Sequence, residues 1–282
     1  MGRQNVSDGA ERLGCLAGDC LIDEANLTPK PGLVDRRGSG AHADLTLAMM
    51  EASARVLVPT FRRMAQVSWG REPDASLRRE IGRIGREGEA VMMRTTGGVN
   101  THRGAIWTLG LLSAGCAVCR LEGGASDWVR TAGLLARTQD DGYAEKRLTH
   151  GARVKQLYHA GGAREEAQAG FPHIMERGLP ALRRSRDEGL GEDEGAINAL
   201  LAIMASLSDT CVLSRGGPQG LELLQAGARK SLRAGGMKTP LGQAAYRELD
   251  EQLLTRGLSP GGAADLLAGT FFIDRAMRDR CN

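Results

Sequence analysis

A chain of 282 residues, 41% hydrophobic and 25% charged, is long enough to bury a sizeable core and too apolar to stay unfolded. Its net charge of +3, with Lys and Arg interleaved among Asp and Glu, argues against a nucleic-acid ligand. No apolar run approaches the roughly 18 to 20 residues that a membrane span needs.

The polar start, MGRQNVSDGAERLG, carries no leader-like apolar stretch, so a cytoplasmic location is expected, with the six cysteines as thiols. Cys116 and Cys119 form a CxxC, but Cys15 and Cys20 have the wrong spacing to complete a zinc site, and AIWTLGLLSAGCAVC reads as a buried helix. Aromatic residues are only 4%, and the apolar set is dominated by Ala and Leu, which favour helix over strand. The expected fold is therefore all-α: one compact multi-helix domain over 1–282. Its 39 glycines belong to tight loops rather than helix interiors.

In chain order, apolar periodicity predicts a first helix over about 7–27, with Leu13, Leu16, Ala17, Cys20 and Leu21 on one face. A second follows over about 44–66, with Leu45, Met49, Ala52, Val56 and Phe61 inward. Further helices are expected near 75–93, 104–121, 127–139, 164–184, 192–213, 219–234 and 240–256. The last one opens with Ser259 as cap and Pro260 in the first turn.

Five loops between these helices combine glycine with charged or hydroxyl residues: 28–44, 95–105, 159–172, 208–217 and 259–265. A glycine-rich entry to a helix suits an anion, because the first turn has free N–H groups and the positive end of the dipole. Neither GxxxxGK[ST] nor a GxGxxG after a strand is present. Lys30, Asp35, Arg36 and Arg37 cluster around prolines that stiffen their loop. His102 and Arg103 precede Gly104 as an anion-binding pair or as surface residues, and Arg215 precedes Gly216 and Gly217 as a phosphate contact. Asp209 and Asp265 lie beside loops, where a divalent ion, a catalytic base or a solvated cap are the open readings. Glu24 ends the first helix, where the dipole disfavours a negative charge, and Asp19 with Asp23 reads as a metal-facing pair. His150, His159 and His173 show no metal spacing and read as structural or as supports behind the site.

Three segments, Glu24 to Asp35 (EANLTPKPGLVD), Gly97 to Ile106 (GGVNTHRGAI) and Ser259 to Leu267 (SPGGAADLL), together resemble the signatures of the triphosphoribosyl-dephospho-CoA synthase family. Their order and spacing match over about residues 15–275. GSGAHADLTLAMM, THRGAIW, GAREEAQAGFP and DTCVL look closer to the malonate decarboxylase branch than to the citrate lyase branch. One departure is His159, where the family has a glycine directly after the tyrosine.

The resemblance implies a helical transferase joining ATP and 3′-dephospho-CoA, with adenine released and Mg²⁺ as the expected metal. It also implies a functional link to the malonate decarboxylase carrier protein and its prosthetic-group transferase, and leaves self-association open. It directs Lys30, Asn100, His102, Arg103, Arg215, Ser259, Gly261 and Gly262 to substrate and phosphates. Glu24, Asp35, Asp209 and Asp265 then share the roles of base, cation stabiliser and Mg²⁺ ligand. Three rivals stand beside this reading: a Mg²⁺-dependent nucleotide hydrolase or glycosidase, a non-enzymatic helical adaptor, and the transferase that loads the finished prosthetic group onto the carrier, against which the Lys30 and Ser259 signatures argue.

Overall fold

The computed structural model describes residues 3–140, 157–158 and 160–279. Among them lie eleven α-helices and no strand beyond an isolated bridge between Asp35 and Gly38. The helices are α1 (Arg3–Asn26), α2 (Leu47–Ser68), α3 (Ala75–Thr95), α4 (Arg103–Val118), α5 (Ala125–Arg137) and α6 (Gly162–Gln168). They continue as α7 (Leu179–Asp187), α8 (Glu192–Met204), α9 (Thr210–Arg233), α10 (Pro240–Thr255) and α11 (Gly261–Arg278). A π-helical turn, His173–Gly178, precedes α7, and a 3₁₀ turn, Gly236–Lys238, precedes α10. No described helix is long and apolar enough to cross a membrane.

The centre of the molecule is α4. It is buried almost all round, from Ala105 to Ala117, and packs against α1, α2, α3, α5 and α11. A helix that is apolar on every face has no solvent side to keep, so it takes the middle. The core around it is one continuous cluster with members from Ala10 on α1 to Ala276 on α11. Cys116 lies in this core and Cys119 at its edge, both as free thiols, as expected of helical core cysteines.

On α1 the expected face is the buried one, with Leu16 packed at its margin. For α2 the expected face holds at Leu45 and Phe61, both buried, and is out of phase between them. Met50, Ser53, Ala54, Leu57 and Phe61 point inward, while Met49, Ala52 and Val56 are only half-buried. The buried stripe includes polar Ser53 and Thr60, which blur a purely apolar periodicity.

Four boundaries also differ from expectation. The helix expected over 164–184 is interrupted after α6, where Phe171 is fully buried with a positive φ of 55° and Pro172 follows. Pro172 has no N–H to continue a helix, and burial of the phenyl ring holds the turn. The helix expected over 192–213 stops at Met204, because Asp209 caps a new one, accepting the N–H groups of Cys211 (2.8 Å) and Val212 (3.3 Å). That new helix, α9, runs into the segment expected over 219–234 through a kink at Gly217 (φ 59°, ψ −161°), followed by Pro218. Only glycine adopts this conformation readily. At α11 it is Pro260, not Ser259, that occupies the cap position, and Ser259 turns its hydroxyl elsewhere. His150 and His159 lie outside the described residues.

Candidate active site

The segment after α1 folds back beneath that helix and is held on two sides. Lys30 is buried, and its Nζ donates to the Glu24 carbonyl and to Glu24 Oε1, both at 2.6 Å. A cation thus closes the negative end of α1 and pairs with the glutamate that the helix dipole alone would disfavour there. The Lys30 amide donates to Asp35 Oδ2 at 2.8 Å. Arg37 adds its own amide to Asp35 Oδ1 (2.7 Å) and its Nε to Oδ2 (2.9 Å), then reaches Asp250 on α10 at 2.5 Å. The Asp250 carboxylate also accepts the Gly32 amide at 3.0 Å, and the Tyr246 hydroxyl donates to the Pro29 carbonyl. Gly32 has a φ of 68°, and a Cβ there would meet the Leu258 carbonyl at 2.3 Å, so this tight passage requires glycine. Asp35 is therefore consumed in shaping the Lys30 loop, while Arg36 is exposed and its amide donates to Thr28 Oγ1.

Against this loop stands the start of α4. His102 is buried, its Nδ1 lies 2.8 Å from Ser53 Oγ, and Ser53 in turn lies 2.6 Å from Thr101 Oγ1. The other ring nitrogen, Nε2, is buried with no partner among the described residues. Burial, reinforced by the nearby Lys30 charge, pushes the imidazole down to about 3, so His102 is neutral at physiological pH. Asn100 Oδ1 accepts the Arg103 amide at 3.1 Å, a local turn bond that starts the helix. The Arg103 side chain is exposed and bound to Glu89 of α3 through Nε at 2.6 Å.

The third wall is the start of α11. Asp265 faces the first turn of α4 so closely that a Cβ on Gly104 would lie 2.0 Å from its Oδ2. The residue keeps some solvent contact, yet protein crowds the carboxyl itself. Desolvation first, then the charges of Glu24 and Asp209, push Asp265 well above the usual carboxylate range, only partly offset by the Ala105 backbone hydrogen bond. Asp209 joins two helices: Oδ1 caps α9, while Oδ2 accepts the Ala263 amide of α11 at 2.9 Å. Burial raises its pKa as well, against these backbone hydrogen bonds.

The N-termini of α4, α9 and α11 thus meet, and the charges of Glu24 and Asp209 both act on Asp265 there with Lys30 and His102 alongside. Gly261 and Gly262 form the opening turn of α11, with the Cβ positions directed at Cys211 and Asp209. Arg103 makes its side-chain contact outside this group, with Glu89, and Asp35 touches it only through the Lys30 backbone amide. Arg215 is exposed and binds the carbonyls of Ala41 (2.9 Å) and Gly257 (3.2 Å) and His42 Nδ1 (3.1 Å).

Asp19 and Asp23 are not gathered into a cluster of metal-ligating side chains among the described residues. Asp19 is exposed, and Asp23 pairs with Arg275 of α11 at 2.5 Å, because the solvent side of α1 lies beside that helix. His173 is structural as expected, its ring and amide both held by Glu166 at 2.8 Å. Sequence reasoning missed Ser53, His42, Asp250 and Tyr246. Ser53 had a signal, a hydroxyl on an apolar stripe; the other three are joined to the site only by chain reversal.

Among the described residues no group of three or more His, Cys, Asp or Glu is arranged to hold a metal ion by itself. The donor set still suits Mg²⁺ held largely by substrate: the Glu24 carboxylate acts on Asp265 across the site, and this ion commonly takes one or two carboxylates together with phosphate oxygens and water.

Residues 10–282 match the model of a protein family described as ATP:dephospho-CoA triphosphoribosyl transferase. The chain belongs to that family. A relative from Klebsiella pneumoniae named 2-(5''-triphosphoribosyl)-3'-dephosphocoenzyme-A synthase is 55% identical over 259 residues, 92% of each chain. A relative from Pseudomonas fluorescens (strain Pf0-1), named a probable synthase of the same kind, is 55% identical over 272 residues, covering 96% of this chain and 93% of its own. A crystal structure from Archaeoglobus fulgidus, given the provisional name triphosphoribosyl-dephospho-CoA synthase, superposes with a TM-score of 0.54 at 22% identity. It covers 80% of this chain and 98% of that one and shares the helical fold.

Proposed function

We propose that this chain transfers the triphosphoribosyl group of ATP to a ribose hydroxyl of 3′-dephospho-CoA, releasing adenine and forming 2′-(5″-triphosphoribosyl)-3′-dephospho-CoA. The observation that carries the reading is the meeting of three helix N-termini around Lys30, Glu24, Asp265 and His102. Residues 1–282 act in this reading as one catalytic domain, working in the cytoplasm.

The reaction breaks the bond between the ribose anomeric carbon and adenine and forms a bond from that carbon to the acceptor oxygen. Overall, one proton moves from the acceptor hydroxyl to adenine. The triphosphate must be held without being cut, which suits backbone N–H groups at helix starts and the buried Lys30 ammonium. Positive charge grows on the ribose ring in such transfers, and carboxylates stabilise it and relay the proton. Asp265 is the carboxyl suited to carry the proton, since its surroundings favour the protonated form. Glu24 keeps its ion pair with Lys30 and faces the developing cation. Mg²⁺, when bound, would supply further charge neutralisation on the phosphates, with Glu24 as the carboxylate available to hold it. Asp35 and Arg37 hold the Lys30 loop in place rather than touching the reacting atoms, and His102 offers Nε2 to the substrate as a neutral group.

The test is incubation of purified protein with ATP, Mg²⁺ and 3′-dephospho-CoA, following adenine and the nucleotide products by mass. Adenine formed only with the acceptor, together with the triphosphoribosyl adduct, is the expected result. Adenine or ADP formed without the acceptor would establish the hydrolase instead, and no turnover would favour the adaptor. The product is proposed to serve the malonate decarboxylase carrier protein. Supplying it with the prosthetic-group transferase to apo carriers of malonate decarboxylase and citrate lyase tests that, the former being the expected acceptor.

A further inference from the structure

Ser259 lies immediately before α11, buried at 3% exposure, and does not cap that helix. Its Oγ is 2.8 Å from His42 Nε2, and the opposite ring nitrogen, Nδ1, is 3.1 Å from an Arg215 guanidinium nitrogen. A guanidinium only donates, so Nδ1 must be the acceptor. Burial and the adjacent Arg215 charge lower the His42 pKa against a smaller opposing pull from Asp44, which keeps the ring neutral. A neutral ring that accepts at Nδ1 carries its proton on Nε2 and donates it to Ser259. The serine oxygen thereby accepts from His42, and its own proton is left to donate. No acceptor for that proton is present among the described residues. Arg215 cannot swing away freely to reverse this order, since its other terminal nitrogen is fastened to the carbonyls of Ala41 and Gly257.

We propose that His42 is a positioning residue that, held by Arg215, aims the Ser259 hydroxyl proton at a phosphate oxygen of the polyphosphate substrate at the start of α11. This rests on the proposed site and revises one part of it: Arg215 serves the phosphates through His42 and Ser259, not by direct contact. The recognised chemistry is an anionic oxygen beside the Gly261–Gly262 turn. Asp209 already occupies the Ala263 amide one residue further on, so a hydroxyl donor completes what the helix start offers.

The test uses inorganic tripolyphosphate and ATP, with binding read by calorimetry and turnover read separately as kcat and KM. In His42→Leu the relay is cut, and tripolyphosphate affinity and KM for ATP are expected to worsen about tenfold, the effect of one hydrogen bond to a charged group. KM for dephospho-CoA should stay within about twofold of wild type. Ser259→Ala should match it, and the double variant should be no worse than either single one. His42→Gln is the rescue, because its amide oxygen accepts from Arg215 while its NH₂ donates to Ser259; it should stay within about threefold of wild type. Unchanged tripolyphosphate affinity in folded His42→Leu, full additivity in the double variant, or failure of His42→Gln as severe as that of His42→Leu would each overturn the proposal. Wild-type protein that binds tripolyphosphate normally but makes no adduct would sink the synthase reading while leaving the relay in place. Wild-type protein that does not bind tripolyphosphate would sink the relay.

Discussion

Replacing Gly104 with alanine displaces Asp265 without touching its chemistry. The new methyl would sit 2.0 Å from Asp265 Oδ2, and real Cβ atoms keep at least 3.0 Å from such neighbours. The carboxyl must therefore retreat by about 1 Å, away from the Ala105 amide it now meets, and misplacement of that size at a reacting centre costs on the order of a hundredfold in rate. Stability should change little. Alanine in place of glycine inside a helix contributes about 0.5–1 kcal/mol, set against about 0.5–1.5 kcal/mol for one weakened hydrogen bond. The assay is adenine release from ATP with saturating 3′-dephospho-CoA, alongside a urea denaturation curve. The expected outcome is kcat down about a hundredfold with a nearly unchanged midpoint. A folded Gly104→Ala protein working within about threefold of wild type would refute the placement of Asp265 at the reacting atoms.

Three further outcomes are expected. Lys30→Met leaves Glu24 buried and unpaired and uncaps α1, so it should lower unfolding free energy by about 3–5 kcal/mol, read from the denaturation midpoint at constant m-value. Asp209→Ala removes the oxygens that bind Cys211, Val212 and Ala263, and a loss of about 2–4 kcal/mol is expected; a loss under about 1 kcal/mol would show that the two helix starts find other partners. Asp265 is raised in the folded protein, so its contribution to stability is fully present below its unfolded pKa of about 3.9 and is lost as pH rises through the folded value. Asp265→Asn removes that loss, and its stability should fall less steeply with rising pH than wild type; parallel curves from pH 4 upward, read by denaturant titration, would count against the raised pKa.

The all-α class was legible in the chain because Ala and Leu dominate its apolar residues and repeat at helical spacing. The α1 face illustrates this: Leu13, Ala17, Cys20 and Leu21 are apolar, buried and locally periodic. The residues around Glu24, Lys30, His102 and Asp265 were also visible, since glycine, proline and charge crowd into short segments between helices. Periodicity failed where the buried face itself holds hydroxyls, as at Ser53, or where one long apolar register spans two helices, as around Asp209. An apolar pattern records what is buried, not which carboxylate will interrupt it with a cap.

What the sequence determined by itself was the helical architecture, the charged loops and the family signatures that make this chain a triphosphoribosyl transferase relative. The tertiary structure decided how those groups are spent. Asp35 reads from sequence like Asp265, yet the first is saturated by Lys30 and Arg37 and the second is crowded against Glu24 and the α4 start. Arg215 and Ser259 are 44 positions apart with His42 far upstream, and only chain reversal sets them on one imidazole ring. Spacing along a chain carries a contact only within a helix turn or a loop; partners brought together by packing depend on the relative placement of whole helices, which local periodicity does not encode.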